Sequence, residues 1–266
     1  MSATRERFEP WAWAAFALAG STAGLFAFLG FRTGGAAPVL AYRFGLIVAG
    51  WLSAVAMALA LAWSLRRRPV LQRGRAWPLA ALGLSLWFCS LPIAYPSSHE
   101  GKYSPTRFRL PFEGGARVRY GGEHALGNPL VFDPARRFGT AFEKRGAEPL
   151  VVSAPADGTL VERRTQGSLE VLALATGARE YCVLAGLAPG TCALAPGSAV
   201  RAGARLGTAE LLFVHLQDRP APGDGEGIPM RFWNYVVDGR AAEAGVPVPP
   251  QEVAAQAAAD AAGPGR

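Results

Sequence analysis

Hydrophobic residues are distributed very unevenly along this chain. Three uninterrupted apolar stretches occupy its first third: Trp11–Phe31, Phe44–Leu65 and Trp77–Tyr95. None holds an acidic, basic or histidine side chain, and each is near the roughly 20 residues a helix needs to cross a bilayer core. Trp11, Trp13, Trp77 and Tyr95 stand near their ends, as interfacial aromatics do. The pattern predicts three membrane-spanning helices over residues 1–96. A cleavable leader fits poorly, because the first stretch is long and two more follow. Buried helices of a soluble protein are the other reading, and the third stretch is the least regular, being framed by Pro78 and Pro92.

After a polar linker, residues 97–107, the period changes. Short runs rich in Val, Leu and Tyr alternate with glycine turns: Arg117–Tyr120, Leu150–Ser153, Thr159–Arg163, Leu169–Ala173, Arg179–Leu184 and Leu211–Leu216. That is a strand-and-turn pattern. With no long amphipathic helix between the runs, it predicts a mainly antiparallel all-β domain over 108–245. Residues 246–266 are rich in Pro and Ala and read as a disordered tail, the run Val253–Ala262 being a candidate transient helix.

Charge sharpens this division. The formal charge is +7, which invites a nucleic-acid reading. The excess lies entirely in residues 1–96, with nine basic and two acidic residues, while the remainder balances at eighteen each. The basic residues therefore report membrane topology, and nucleic acid is not an expected partner. Arg66, Arg67, Arg68, Arg73 and Arg75 fill the second connector, against Arg32 and Arg43 around the first. By the positive-inside rule the second connector and the N-terminus (Arg5, Arg7) are cytoplasmic. A multi-pass protein of a bacterial inner membrane, its C-terminal domain periplasmic, is the expectation. The spans hold no ionisable side chain, so they read as an anchor and not as an ion path.

Candidate chemistry is sparse. Cys182 and Cys192 flank Ala188-Pro189-Gly190 in the exterior part, where a disulfide across the loop competes with two separate thiols. Neither has a Cys or His neighbour at zinc-ligand spacing. The chain has three histidines, His99, His124 and His215. No nucleophile-elbow context surrounds Ser97, Ser98 or Ser153, and no glycine-rich phosphate loop precedes a helix.

Several motifs in order resemble the lysostaphin-type, or LytM-like, zinc murein endopeptidases. They are Leu110-Pro111-Phe112 with Gly121-Gly122; Arg137-Phe138-Gly139-Thr140-Ala141-Phe142; and Ser153-Ala154-Pro155-Ala156-Asp157-Gly158-Thr159-Leu160. Leu184-Ala185-Gly186-Leu187-Ala188-Pro189-Gly190, the turn Val200–Gly207 and Leu216-Gln217-Asp218-Arg219-Pro220 followed by Gly227–Phe232 complete the series. The match covers about residues 108–240. It implies a β-sheet core with that family's duplicated hybrid motif. It also implies a tetrahedral zinc held by a His, an Asp and the second His of His-x-His, with two further histidines assisting.

Carried over position by position, the resemblance places the metal ligands at Leu130, Ala141 and Phe213, and the assisting histidines at Gly186 and Leu211. All five positions are apolar or glycine in this chain. The resemblance thus implies a degenerate member without a cofactor, its groove relined by hydrophobic side chains. Such a domain would be non-catalytic and would bind or regulate cell-wall hydrolases or peptidoglycan. A shifted register leaves an alternative, an active zinc endopeptidase holding metal through His124, Asp133 and His215, with Phe213-Val214-His215 standing for His-x-His. Positions 211, 213 and 215 share one strand face.

Overall fold

A computed structural model describes residues 10–32, 34–67, 73–124 and 126–256. Arg5, Arg7 and Arg68, together with most of the Ala-rich run, lie outside the described residues. The chain divides into two compact units, Met1–Ser98 and His99–Arg266.

The first unit is helical. It comprises α1 (Pro10–Gly30), α2 (Ala36–Leu40), a wider π-type turn (Ala41–Leu46), α3 (Ile47–Leu65) and α4 (Arg73–Ser90). α1 and the continuous helical run Ala36–Leu65 are long and apolar enough to cross a membrane. The second run starts eight residues earlier than the apolar stretch predicts. Pro38 is tolerated in a first helical turn, where its missing N–H has no partner to lose, and Gly34 and Gly35, at φ 84° and 99°, supply the reversal before it. The third stretch is corrected at its end. α4 stops at Ser90 and residues 91–95 are irregular, since Pro92 pushes Leu91 away from helical geometry. By length and composition α4 is not among the helices that qualify as spans.

Helices α1, α3 and α4 are joined by buried hydroxyls. Ser85 Oγ lies 2.8 Å from Thr22 Oγ1 and 2.7 Å from Ser53 Oγ. Thr22 also donates to the Leu18 carbonyl and Ser53 to that of Ala49. Hydroxyl contacts of this kind hold apolar helices together where hydrophobic burial alone gives no preference for one neighbour.

The second unit is one antiparallel sheet of twelve described strands, β1 (Gly115–Tyr120), β2 (Thr140–Lys144), β3 (Leu150–Ser153), β4 (Gly158–Gln166), β5 (Leu169–Gly177), β6 (Glu180–Leu187), β7 (Ala199–Val200), β8 (Arg205–Gln217), β9 (Gly227–Ile228), β10 (Phe232–Val237), β11 (Arg240–Gly245) and β12 (Glu252–Ala255). Their order is β11-β10-β12-β1-β2-β8-β6-β5-β4-β7. The long β8 organises the sheet: β3, β2 and β9 pair successively along one edge of it and β6 along the other.

Alternation sorts β8 into two faces. Leu212, Val214 and Leu216 enter the main core, beside Phe112, Phe142 and Phe232, whose rings meet edge to face at 5.0 and 5.7 Å. Leu211, Phe213 and His215 occupy the opposite face.

Two expectations from composition are corrected here. Residues 252–255 are not part of a disordered tail; β12 pairs with β1 and β10, and Val253 is buried in the core. The linker 97–107 is docked over much of its length: Ser104 and Thr106 donate hydroxyl hydrogen bonds to Glu180, Ser104 N–H reaches the Pro229 carbonyl, and Arg107 lies over the Trp233 ring. Single polar side chains that satisfy one carboxylate leave no hydrophobic signal in the sequence.

Candidate functional site

The face of β8 opposite the core carries Leu211 and Phe213, two of the five residues that the resemblance maps onto metal and catalytic positions; Ala141 lies on β2, Gly186 on β6 and Leu130 in the turn Pro129–Phe132. Ala141 of β2 and Ala185 of β6 are both register partners of Phe213, so one large ring stands between two methyl groups. Ala141 is fully buried. The Phe213 ring also faces Tyr120 of β1 at 5.8 Å and stacks on His215 at 5.1 Å. Gly139 closes the arrangement, because a Cβ there would overlap the Phe213 ring. The space is filled by an aromatic side chain.

The segment 121–139 is pinned beside this face by Asn128. Its side-chain nitrogen donates to the carbonyls of Gly122 and Arg137 at 2.9 and 2.8 Å, and its oxygen accepts from Leu130 N–H at 3.0 Å. Leu130 therefore sits in the 3-10 turn Pro129–Phe132, half-buried. Leu211 is 40% exposed, which corrects the expectation of a wholly dry groove: the face is closed at His215, half-buried at Phe213 and open to water at Leu211.

Gly186 has φ 103° in a β6 irregularity opposite Leu211, and a Cβ at this position would overlap the Leu211 carbonyl. No side chain fits here in this backbone, so a histidine at 186 requires β6 to be rebuilt locally. The resemblance maps an assisting histidine to this position, and the backbone described leaves no room for one.

His215 is buried, and burial pushes its pKa down to about 4. Gln217 fixes its tautomer. The Gln217 amide nitrogen donates to the carbonyls of Arg219 and Ala221, so its oxygen is the acceptor for Gly223 N–H and for His215 Nε2 at 3.0 Å. Nε2 then carries the proton, and Nδ1 is a buried acceptor without a hydrogen bond. This is one bare donor atom for a metal. Asp133 is committed elsewhere: its Oδ1 accepts from Ala135 and Arg136 N–H, and Oδ2 lies 3.7 Å from the Arg136 guanidinium. His124 is exposed in the loop. Among the described residues no three His, Cys, Asp or Glu side chains converge on one point. The donor set His124, Asp133 and His215 does not fit a tetrahedral zinc.

Cys182 and Cys192 are separate buried thiols, which corrects the disulfide expectation. Cys182 pairs with Leu216 on β8, whereas Thr191, beside Cys192, bonds Thr208. Eight strand residues separate those two points, roughly 25 Å at the usual rise, and a disulfide requires Cα atoms within about 7 Å. Burial pushes the Cys182 thiol up to about 12, so it is unreactive.

Tyr120, Gly139 and Gln217 were not singled out by the sequence. For Gln217 a signal existed: it lies two residues beyond His215 and so on the same strand face.

The chain is similar to a protein assigned as the glycyl-glycine endopeptidase LytM from Ruminococcus gnavus, at 14% identity over 83% of this chain and 87% of that one, with a TM-score of 0.36. It is similar to the catalytic domain of the prophage-encoded M23 protein EnpA from Enterococcus faecalis, at 15% identity, 48% of this chain, 95% of that one and a TM-score of 0.33. The SpoIIQ–SpoIIIAH pore-forming complex gives 14% identity, 47% and 89% coverage, and a TM-score of 0.35. M23 and LytM peptidases are thus among the structural neighbours of the chain. No family model and no curated protein matches it.

Proposed function

We propose that this chain is a membrane-anchored, non-catalytic LytM-like domain that binds peptidoglycan or a cell-wall hydrolase in the bacterial periplasm. One observation carries the reading: Phe213 fills the space between Ala141, Ala185, Tyr120 and Gly139 at the mapped metal position. A hydrolytic site needs room for a metal, a water and a scissile carbonyl, and the ring takes that room. Replacing charged ligands by hydrophobes also removes the desolvation cost of burying them, so the sheet persists without metal. The anchor reading rests on the two apolar helical runs and the arginine-rich connector after α3, and the periplasmic placement further requires α4 to cross as a third span.

The alternative, a zinc endopeptidase using His124, Asp133 and His215, has one feature in its favour, the bare Nδ1 of His215. Its other two members are directed elsewhere. Incubating the purified full chain with isolated sacculi and zinc separates the two. The proposed reading expects co-sedimentation with sacculi, or an altered rate of an added hydrolase, without release of soluble muropeptides. Zinc-dependent muropeptide release would establish the alternative.

A further inference from the structure

The helical unit contains an apolar groove that an anchoring role does not require. Its cavity of about 600 Å³ runs between α1 and α3, walled by Trp11 and Ala15 on one side and Leu52, Ala56 and Trp63 on the other, with Leu82 of α4 as its floor. Alanines at 15 and 56 keep the walls apart, where larger side chains would close them. Along α3 the groove extends from Leu52 to Trp63, eleven residues or roughly 16 Å. That is about half of the ~30 Å hydrocarbon core, the depth of one leaflet. A transmembrane helix from a partner or a second copy would need a seam of twice that length.

One end of the groove is basic. The Arg67 guanidinium lies 4.4 Å over the Trp63 ring that forms its lip, and Arg75 Nη1 donates to the Arg67 carbonyl at 3.4 Å. Arg66 follows α3 directly. Basic residues at the cytoplasmic end of an interhelical apolar pocket attract anionic lipid head groups.

We propose that this groove holds one acyl chain of an anionic phospholipid from the arginine-side leaflet, with its phosphate against the exposed Arg66 and Arg67. The proposal rests on the reading of this unit as a membrane anchor. It makes the helical unit a lipid-selective element, tied to the leaflet opposite the β domain in the topology expected from charge.

Native mass spectrometry of the full chain released from detergent, in the presence of phosphatidylglycerol or phosphatidylcholine, tests this. The wild type should retain a single phosphatidylglycerol about tenfold better than phosphatidylcholine, given the attraction of two basic residues to an anionic head group. Ala56→Trp, which fills the groove without altering charge, should abolish retention of both lipids. Arg66→Gln with Arg67→Gln should remove the preference and leave the phosphatidylcholine level unchanged. Unaltered helicity by circular dichroism shows that each variant is folded. Equal retention of the two lipids by the wild type, wild-type retention by Ala56→Trp, or a lipid-free dimer would overturn the proposal. Vesicle flotation of the full chain separates the underlying reading: a chain that does not float is no anchor, whereas one that floats without a retained lipid lacks only the specific site.

Discussion

Phe213 and His215 lie two residues apart on one strand face, yet they obey different constraints. Phe213 is held by shape, His215 by a single amide. Because burial depresses the His215 pKa to about 4, against about 6.5 in an unfolded chain, protons bind the unfolded state first. Its contribution is whole above pH 6.5 and is lost as the pH falls from 6.5 to 4, by up to about 3 kcal/mol. His215→Gln should therefore show a shallower loss of melting temperature across that window than the wild type; parallel pH profiles would place His215 in water. Gly186 is constrained by backbone. Gly186→Ala should destabilise by about 2–3 kcal/mol in urea unfolding, from a positive φ combined with overlap of the Leu211 carbonyl. A neutral result would mean that β6 takes the ordinary strand path past Leu211.

Elements were legible in the sequence to the degree that their signal was periodic. The runs at 117–120, 150–153, 159–163, 169–173 and 211–216 fall within described strands, and the run 179–184 does so from Glu180 onward, because alternation and glycine turns mark a half-buried strand directly. β12 escaped notice. Its only buried side chain there is Val253, among small residues that composition alone cannot distinguish from a tail. The cysteine pair misled for a related reason: nine residues are close in sequence, but β6 carries Cys182 far from the turn that holds Cys192. The resemblance maps the site onto apolar residues and glycine, whereas the packing of Phe213 against Gly139 depends on contacts between β8 and a loop more than seventy residues earlier. Deleting residues 246–266 tests the β12 assignment. Loss of its pairing with both β1 and β10 should lower the melting temperature of the β unit markedly; an unchanged transition would return that segment to the tail.

At the scale of the whole molecule, a basic, helical N-terminal unit precedes a charge-balanced β unit. The positive-inside argument predicts that protease added outside intact spheroplasts digests residues 97–266; protection of that unit would reverse the orientation. On the proposed reading, Phe213 fills the position that the resemblance maps to a metal ligand, and the sheet folds without zinc. The most direct measurement is zinc per chain for the full-length protein purified with zinc present, alongside His215→Ala. Far less than one zinc per chain is expected, unchanged by the substitution. One zinc per chain that disappears on replacing His215 would contradict that reading.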